Sequence, residues 1–529
     1  MASIFERLDT LSGIETDNTA ARWLERTALV FLILMAVAAP HSIAASQAAW
    51  ILGMLTTALR FAIAPRPKFK FTSLSTALAA LFIWSAISSA FSYEPAISLD
   101  KLRNVSLLLV FFFASLNLRR LSAVYLVAFL LVLSTLVNVA WVIGSRIAGR
   151  GVEIHGLAPA GPLARLNVAD GATLVSVDGK KLNSPDELVS KLKPDTSSKV
   201  LVYEYESYRN LQLNSADLLA GNEADSRLGI VNWSRSYNWR AQGFFGHFTT
   251  YAETLQLIAS LLFGIVIATL GRRNHVNTNS SAFRFLTSAP VMIVALAAIL
   301  IALLLTVTRA SQLAFMVSAF VGITMSGSRK LLFAAGLLAI PVILGGLLFL
   351  QQSRNVGFLD TSDESTLYRL TMWRDGLRLS TANAHNLVFG IGMDSTKKHW
   401  QEWGMFRNGF MPFGHFHSTP VQLMVERGLP ALLIWLAVIF LYGRVLWKAV
   451  QQRKRSASVN KWLLGILLGC LGGLAGFFVS GLVHYNLGDG EVALIFYLLM
   501  AIGVRTAESV AADDLNDAAE QQLRTRMAA

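Results

Sequence analysis

Cysteine is nearly absent. The one cysteine, Cys470, lies inside an apolar run, so no intrachain disulfide can form. Charge is scarce as well: 15% of the 529 residues are Asp, Glu, Lys or Arg, where a soluble domain carries roughly a quarter. With 54% hydrophobic residues the composition excludes an ordinary soluble domain and indicates a polytopic membrane protein. Acidic residues are fewer than basic ones, 33 against 46, giving a formal charge of +13. The excess does not indicate nucleic-acid binding, because the basic residues fall in short clusters between apolar runs. No D-x-D lies on the side read below as outer, which argues against a metal-dependent nucleotide-sugar transferase. No third Cys, Asp or Glu stands at ligand spacing from His415 and His417, so no metal site is expected.

Apolar runs are what the chain has in abundance. About twelve follow one another from 27–40 to 489–506, several shorter than the ~20 residues of a full span. With the N-terminus inside and the runs alternating, Arg66, Lys68 and Lys70 fall on the inner side. So do Arg119 and Arg120; Arg272, Arg273 and Arg284; Arg329 and Lys330; and the basic residues from Arg444 to Lys461. The opposite orientation breaks the positive-inside rule at every loop. The expected segments are an inner N-terminus (1–26), five spans (27–145), four spans (248–350), three spans (429–506) and an inner tail (507–529). Met1–Arg26 is polar and does not read as a cleavable signal. Two long loops, 145–247 and 351–428, lie outside and exceed what a simple connection needs.

The first long loop changes character over 151–213. Val152–Ile154, Thr173–Val177 and Lys199–Tyr205 have strand patterns, and Asp178-Gly179 reads as a hairpin turn. Ser184-Pro185-Asp186-Glu187 opens a helix, with Ser184 as the cap. The stretch from Gly161 to Leu188 resembles a PDZ domain. Only Ser145–Gly151 precede its first strand, leaving little chain for a carboxylate-binding loop. The module is therefore open to two readings, a peptide binder by β-augmentation or a lid or docking surface for a protein partner. Over 214–247 follows a basic-aromatic segment in which Arg235, Arg240 and His247 stand among Trp233, Tyr237, Trp239, Phe244 and Phe245. This suits an interfacial belt or, being outside, contact of Arg240 with an anionic headgroup or diphosphate.

Three further stretches carry candidate chemistry. Thr308-Arg309-Ala310 puts one arginine between two short apolar runs, where a merely anchoring residue would have a longer flank. Ser365–Leu379 has an approximate helical stripe with Arg369, Asp375 and Arg378 among its polar positions. Gly414–Gly428 reads G-H-F-H-S-T-P-V-Q-L-M-V-E-R-G. It places His417 before a short helix carrying Gln422 and Glu426 on one face. Gly428 stops that helix and Pro430 opens a span.

These three stretches, in this order and on the outer side of about twelve spans, resemble the O-antigen ligase and polymerase family. The resemblance covers roughly 27–145 and 240–506, with 151–213 as an insertion. It implies an all-α polytopic membrane protein of about twelve transmembrane helices with a small α+β PDZ-like periplasmic module. It also implies a multi-pass protein of the bacterial inner membrane, with both termini cytoplasmic and a periplasmic catalytic loop at 351–428. The implied activity moves a glycan from undecaprenyl diphosphate to an acceptor hydroxyl, with lipid A–core as the first choice of acceptor. By resemblance His417 is the base, and Arg309 and Arg369 bind the diphosphate. Arg240, Glu426 and Asp489 are secondary candidates. No cofactor or metal is implied. The partners are the lipid-linked glycan, the acceptor, membrane lipids and, at the inserted module, a protein. The chemistry is consistent with this on its own terms: a lipid diphosphate is already a good leaving group, arginine forks suit phosphate, and histidine titrates near neutrality.

Alternatives stay open at this stage. A polymerase or a protein O-oligosaccharyltransferase would use the same residues on another acceptor. A polysaccharide or lipid transporter would have a similar number of spans, but such proteins bind at the midplane and often show inverted repeats. No internal repeat is visible here. A scaffold built around the inserted module would not need so many spans.

Overall fold

The computed structural model describes residues 4–193, 196–204, 207–237, 239–270, 286–333, 364–409, 414–455 and 460–528. The expected span at 330–350 and the first part of the second long loop lie almost wholly outside the described residues. The chain is mostly helical. Its longer helices are α1 (Thr19–Ala38), α2 (Ile43–Ala62), α3 (Ser73–Ala90), α4 (Leu109–Asn117), α5 (Leu121–Ala148), α6 (Phe248–Leu270), α7 (Ala289–Leu305), α8 (Arg309–Ser326), α9 (Glu364–Ser380), α10 (Thr419–Arg455), α11 (Lys461–Gly481) and α12 (Gly490–Ala528). Among the described residues six helices, α3, α5, α6, α10, α11 and α12, are long and apolar enough to cross a membrane, and α7 is a shorter apolar helix. The protein is thus a multi-pass membrane protein carrying a small antiparallel sheet.

The chain forms two compact units. The first comprises Met1–Leu136, Phe244–Leu303 and Thr308–Ala529. At its heart α6 is buried along nearly its whole length. It packs antiparallel to α11 through glycines: a Cβ on Gly469 would lie 2.6 Å from the Leu261 carbonyl oxygen. On a neighbouring ridge of α11, a Cβ on Gly472 would lie 2.6 Å from the Ser318 carbonyl oxygen, and one on Gly476 2.7 Å from that of Ala314. Lipid tails are as apolar as leucine, so helices in a membrane associate by close packing at such small residues. Helix α8 therefore runs antiparallel to α11, and this fixes the level of Arg309. Five residues, or ~7.5 Å of rise, take Ala314 back to Arg309 and Gly476 forward to Gly481. Arg309 is the first residue of α8 and sits at the end of the bundle where α11 gives way to His484.

The other end of this unit is basic. Arg60 Nε lies 2.7 Å and Arg119 Nη1 2.9 Å from the two oxygens of buried Glu25. Arg505 Nε donates to the Leu118 carbonyl at 2.8 Å. Helix α12 starts beside Asp489 and takes fifteen residues, ~22 Å, to reach Arg505. The arginine cluster and the segment around His484 thus lie at opposite ends.

The second unit comprises Val137–Gly243 and Leu304–Val307. Its strands are β1 (Arg150–Leu157), β2 (Thr173–Val177), β3 (Lys180–Lys181), β4 (Ser198–Glu204), β5 (Ser207–Leu213) and β6 (Ile230–Ser236). They pair antiparallel in the order β5-β4-β2-β1-β6, with β3 paired to β2. One face buries Val152, Ile154, Leu174, Val200, Val202 and Leu213 against Leu163, Leu188 and Leu228. Asp178 (φ 46°) and Gly179 (φ 77°) make the turn between β2 and β3, both in the left-handed region that a tight hairpin demands. Ser184 accepts from the Glu187 amide and Pro185 opens the helix Pro185–Lys191. The sheet reaches beyond residue 213: β6 runs along the outer edge of β1, from Arg150 opposite Ser236 to Leu157 opposite Ile230. A peptide adding to β1 on that side would have to displace the chain's own strand.

Candidate active site

Three elements hold the segment around His417. From α9, Trp373 Nε1 donates to the Phe416 carbonyl at 2.9 Å. From the first turns of α10, Gln422 Oε1 accepts the Phe416 amide at 2.7 Å. The Phe416 ring is buried against Met372, Ile391, Met405, Phe406 and Val425. From the loop between α11 and α12, the His484 carbonyl accepts the Thr419 amide at 3.1 Å, and Asn486 Oδ1 accepts the Thr419 hydroxyl at 2.8 Å. With both flanks fixed, His417 takes φ 46°, a left-handed conformation uncommon for a residue with a side chain. Its amide donates to His415 Nδ1 at 3.2 Å, and the two imidazole rings lie 4.1 Å apart.

The half-buried His417 is not alone. Burial, then His415, Arg369 and His247, push its pKa down to about 3. Half-buried His484 is likewise pushed down to about 3, by burial and then by Arg369, His417, His415 and His247. Four histidines and one arginine, drawn from α9 and from the chain before α6, before α10 and between α11 and α12, thus act on one another. At neutral pH His417 and His484 are neutral, and each is a weaker base than the imidazole titrating near neutrality that the sequence led one to expect. An anion bound here would offset the repulsion from Arg369 and raise the basicity of both. Among the described residues no three His, Cys, Asp or Glu side chains are placed to hold a metal ion.

Arg369 thus lies near enough for its charge to act on His417. Arg309 is not among the groups acting on His417. It lies half-buried at the same end of the bundle, with no hydrogen-bond or ion-pair partner among the described residues. In the second unit, Arg240 directs Nε to the Thr306 carbonyl and Nη2 to the Val307 carbonyl, both at 2.9 Å. Its fork clamps the turn in which Val307 adopts φ 51°.

The stretch that supplies α7, Arg309, Arg369 and His417 is also where a known family is found: the family model described as O-antigen ligase matches residues 292–436. This stretch is an O-antigen ligase domain. The match supports a membrane glycosyltransferase of the ligase or polymerase type, and it bears on this stretch of the chain. No curated protein matches the chain.

The ligase domain holds Glu426 but does not direct it at His417. Glu426 is 3% exposed, and its Oε1 accepts the Asp394 amide at 2.9 Å. Its carbonyl accepts the Gly392 amide, also at 2.9 Å. Both bonds fasten the 390–395 turn to α10. Asp489 lies beyond the matched stretch, where Oδ2 accepts the Thr250 hydroxyl. Burial raises its pKa to about 7, with the Thr250 bond opposing and Glu491 adding to the rise. Neither His484 nor Glu253 stood out as a candidate in the sequence. His484 gave no signal beyond being a lone histidine in the short H-Y-N-L-G-D-G-E loop. Glu253 stands in the second turn of α6, inside the bundle, with Oε1 unpartnered among the described residues.

Proposed function

We propose that the protein transfers a glycan from undecaprenyl diphosphate to an acceptor hydroxyl, lipid A–core foremost, at the periplasmic face of the bacterial inner membrane. The observation that carries this reading is that His417, Arg369 and three further histidines at one end of the bundle act electrostatically on one another. His417 takes the proton from the acceptor hydroxyl. The freed oxygen pair bonds to the anomeric carbon while the bond from that carbon to the carrier's diphosphate oxygen breaks. Undecaprenyl diphosphate leaves with the bonding electrons. Arg369, and Arg309 at the same end, offset the negative charge growing on the leaving oxygens. The step needs no metal, because the leaving group is already a diphosphate. Asp489 tunes the charge of the surroundings, Glu426 positions the 390–395 turn, and Arg240 positions the turn ahead of Arg309. The separation of the arginine cluster from the histidines supports a cytoplasmic side at Arg60, Arg119 and Arg505 and a periplasmic side at His417. The inserted sheet offers a partner the outer edges of β5 and β6.

A polymerase and a protein O-oligosaccharyltransferase perform the same step on other acceptors. Reconstituted protein with an undecaprenyl-diphosphate glycan, EDTA, and either lipid A–core, a glycan or a Ser/Thr peptide decides among them. Transfer to lipid A–core that survives EDTA is expected. Transfer to glycan alone makes the protein a polymerase, and transfer that stops in EDTA contradicts the metal-free step.

A further inference from the structure

A cavity of about 240 Å³ opens beside His415. It has room for about eight waters at ~30 Å³ each, or for one sugar ring, but not for a lipid chain. Its lining includes Lys101, Lys397, Asp394, Glu426, Arg427 and Tyr485.

The charges of this cavity do not cancel. Lys101 Nζ and Lys397 Nζ lie 2.7 Å and 2.9 Å from the same oxygen, Asp394 Oδ2. One carboxylate oxygen thus serves two ammonium groups. Glu426 Oε1 is held by the Asp394 amide. Arg427 is only 6% exposed, yet it has no carboxylate within ion-pair distance among the described residues. Nη2 donates to the Tyr485 hydroxyl at 3.0 Å and Nη1 reaches Ser85 Oγ at 3.4 Å. Nε is buried and has no partner among the described residues. Three cations therefore face two carboxylates, and the most deeply buried cation is the least satisfied. A buried, incompletely paired guanidinium costs free energy that a ligand anion would return. Tyr485 and Glu426 supply the convergent polar groups typical of a small-molecule site, and the ring of His415, on the cavity wall, lies 4.1 Å from that of His417 at a tilt of 56°.

We infer that this cavity is the acceptor subsite and takes an anionic sugar, one bearing a carboxylate or a phosphate monoester, with Arg427 on the anion and the ring beside His415. This rests on the reading of His417 as the base toward the acceptor. It accounts for a second basic locus in a site whose donor diphosphate is already met by Arg369.

The test uses the full chain in nanodiscs and four soluble probes: glucuronate, glucose 6-phosphate, glucose and inorganic phosphate. Glucuronate and glucose 6-phosphate should bind in competition, and glucose and inorganic phosphate should each bind at least about tenfold more weakly. Arg427→Gln should weaken both anionic sugars about ten- to hundredfold. Lys397→Gln, at a more exposed position that is safer for folding, should weaken them in the same direction. Glucose binding as well as its phosphate, phosphate binding as well as glucose 6-phosphate, or indifference of the Lys397 variant would each overturn the inference. In the transfer assay Lys397→Gln should raise the acceptor KM and leave the donor KM unchanged; the reverse gives the cavity to the donor. Probe binding as predicted in a protein that transfers no glycan would instead count against the ligase reading and leave the subsite standing.

Discussion

His417 combines an uncommon backbone with an uncommon environment. Its left-handed φ disfavours any side chain with a Cβ, so His417→Gly should fold at least as stably as His417→Ala, with a melting curve as the check. Activity separates from stability here, since both variants should lose about 10²- to 10⁴-fold in transfer rate. The lowered pKa values give a pH prediction with a definite sign. His417 and His484 in the unfolded chain take up a proton near 6.5, while in the fold they do so near 3. The unfolded state thus binds more protons between these values, and stability should rise as pH goes from about 3 to about 6.5. The acid limb of kcat/KM should fall well below 6.5. An inflection near 7 that disappears in Asp489→Asn would mark the buried carboxyl, whose pKa is raised to about 7. His417 and Arg369 could be picked out in the sequence because each stands in a patterned stretch. His484 and Arg427 could not, because a lone histidine and a lone arginine acquire meaning only when folding brings them beside other cations.

At the scale of elements, local chemistry written in consecutive residues was the part most open to reading. The stop at Gly428 is an example: the backbone there has φ 77° and ψ 172°, and Pro430 follows as α10 resumes. A Cβ on Gly428 would run into the Val388 carbonyl, so Gly428→Ala should unseat the 388–392 turn from α10. Loss of protease resistance in that loop, with the rest of the chain intact, would register it. The Ser184 cap and the Asp178-Gly179 turn were legible for the same reason. The pairing of β6 with β1 was not, because strand order depends on contacts some eighty residues apart. Nor were the glycine ridges of α11, since each glycine in G-I-L-L-G-C-L-G-G-L-A-G could equally have faced lipid. Gly469→Leu should prevent α6 and α11 from meeting and abolish the folded state, seen as loss of a monodisperse peak in detergent. A well-folded Gly469→Leu protein would contradict the packing described.

On the scale of the whole molecule, the first compact unit has a basic end, an end rich in histidine, and a buried ion cluster near the former. Glu25 is 5% exposed and is met by Arg60 and Arg119. Glu25→Gln leaves two cations without a carboxylate and should cost about 3–5 kcal/mol of stability. With buried Cys470 replaced by alanine, a cysteine at Gln401 should react with a membrane-impermeant maleimide from the periplasmic side, and one at Arg329 only after permeabilisation. The opposite pattern would invert the proposed topology. Charge counting along the sequence put Arg119 in one of its basic clusters, because such clusters are local, but Arg60 and Arg505 were not in its clusters, and it could not say which side chains meet at either end. The most direct measurement is chemical rescue of His417→Ala in the reconstituted transfer assay. If His417 is the base, added imidazole should restore transfer in proportion to its neutral form, with donor KM unchanged. A variant that keeps wild-type transfer, or one that folds and binds donor yet gains nothing from imidazole, would contradict the account.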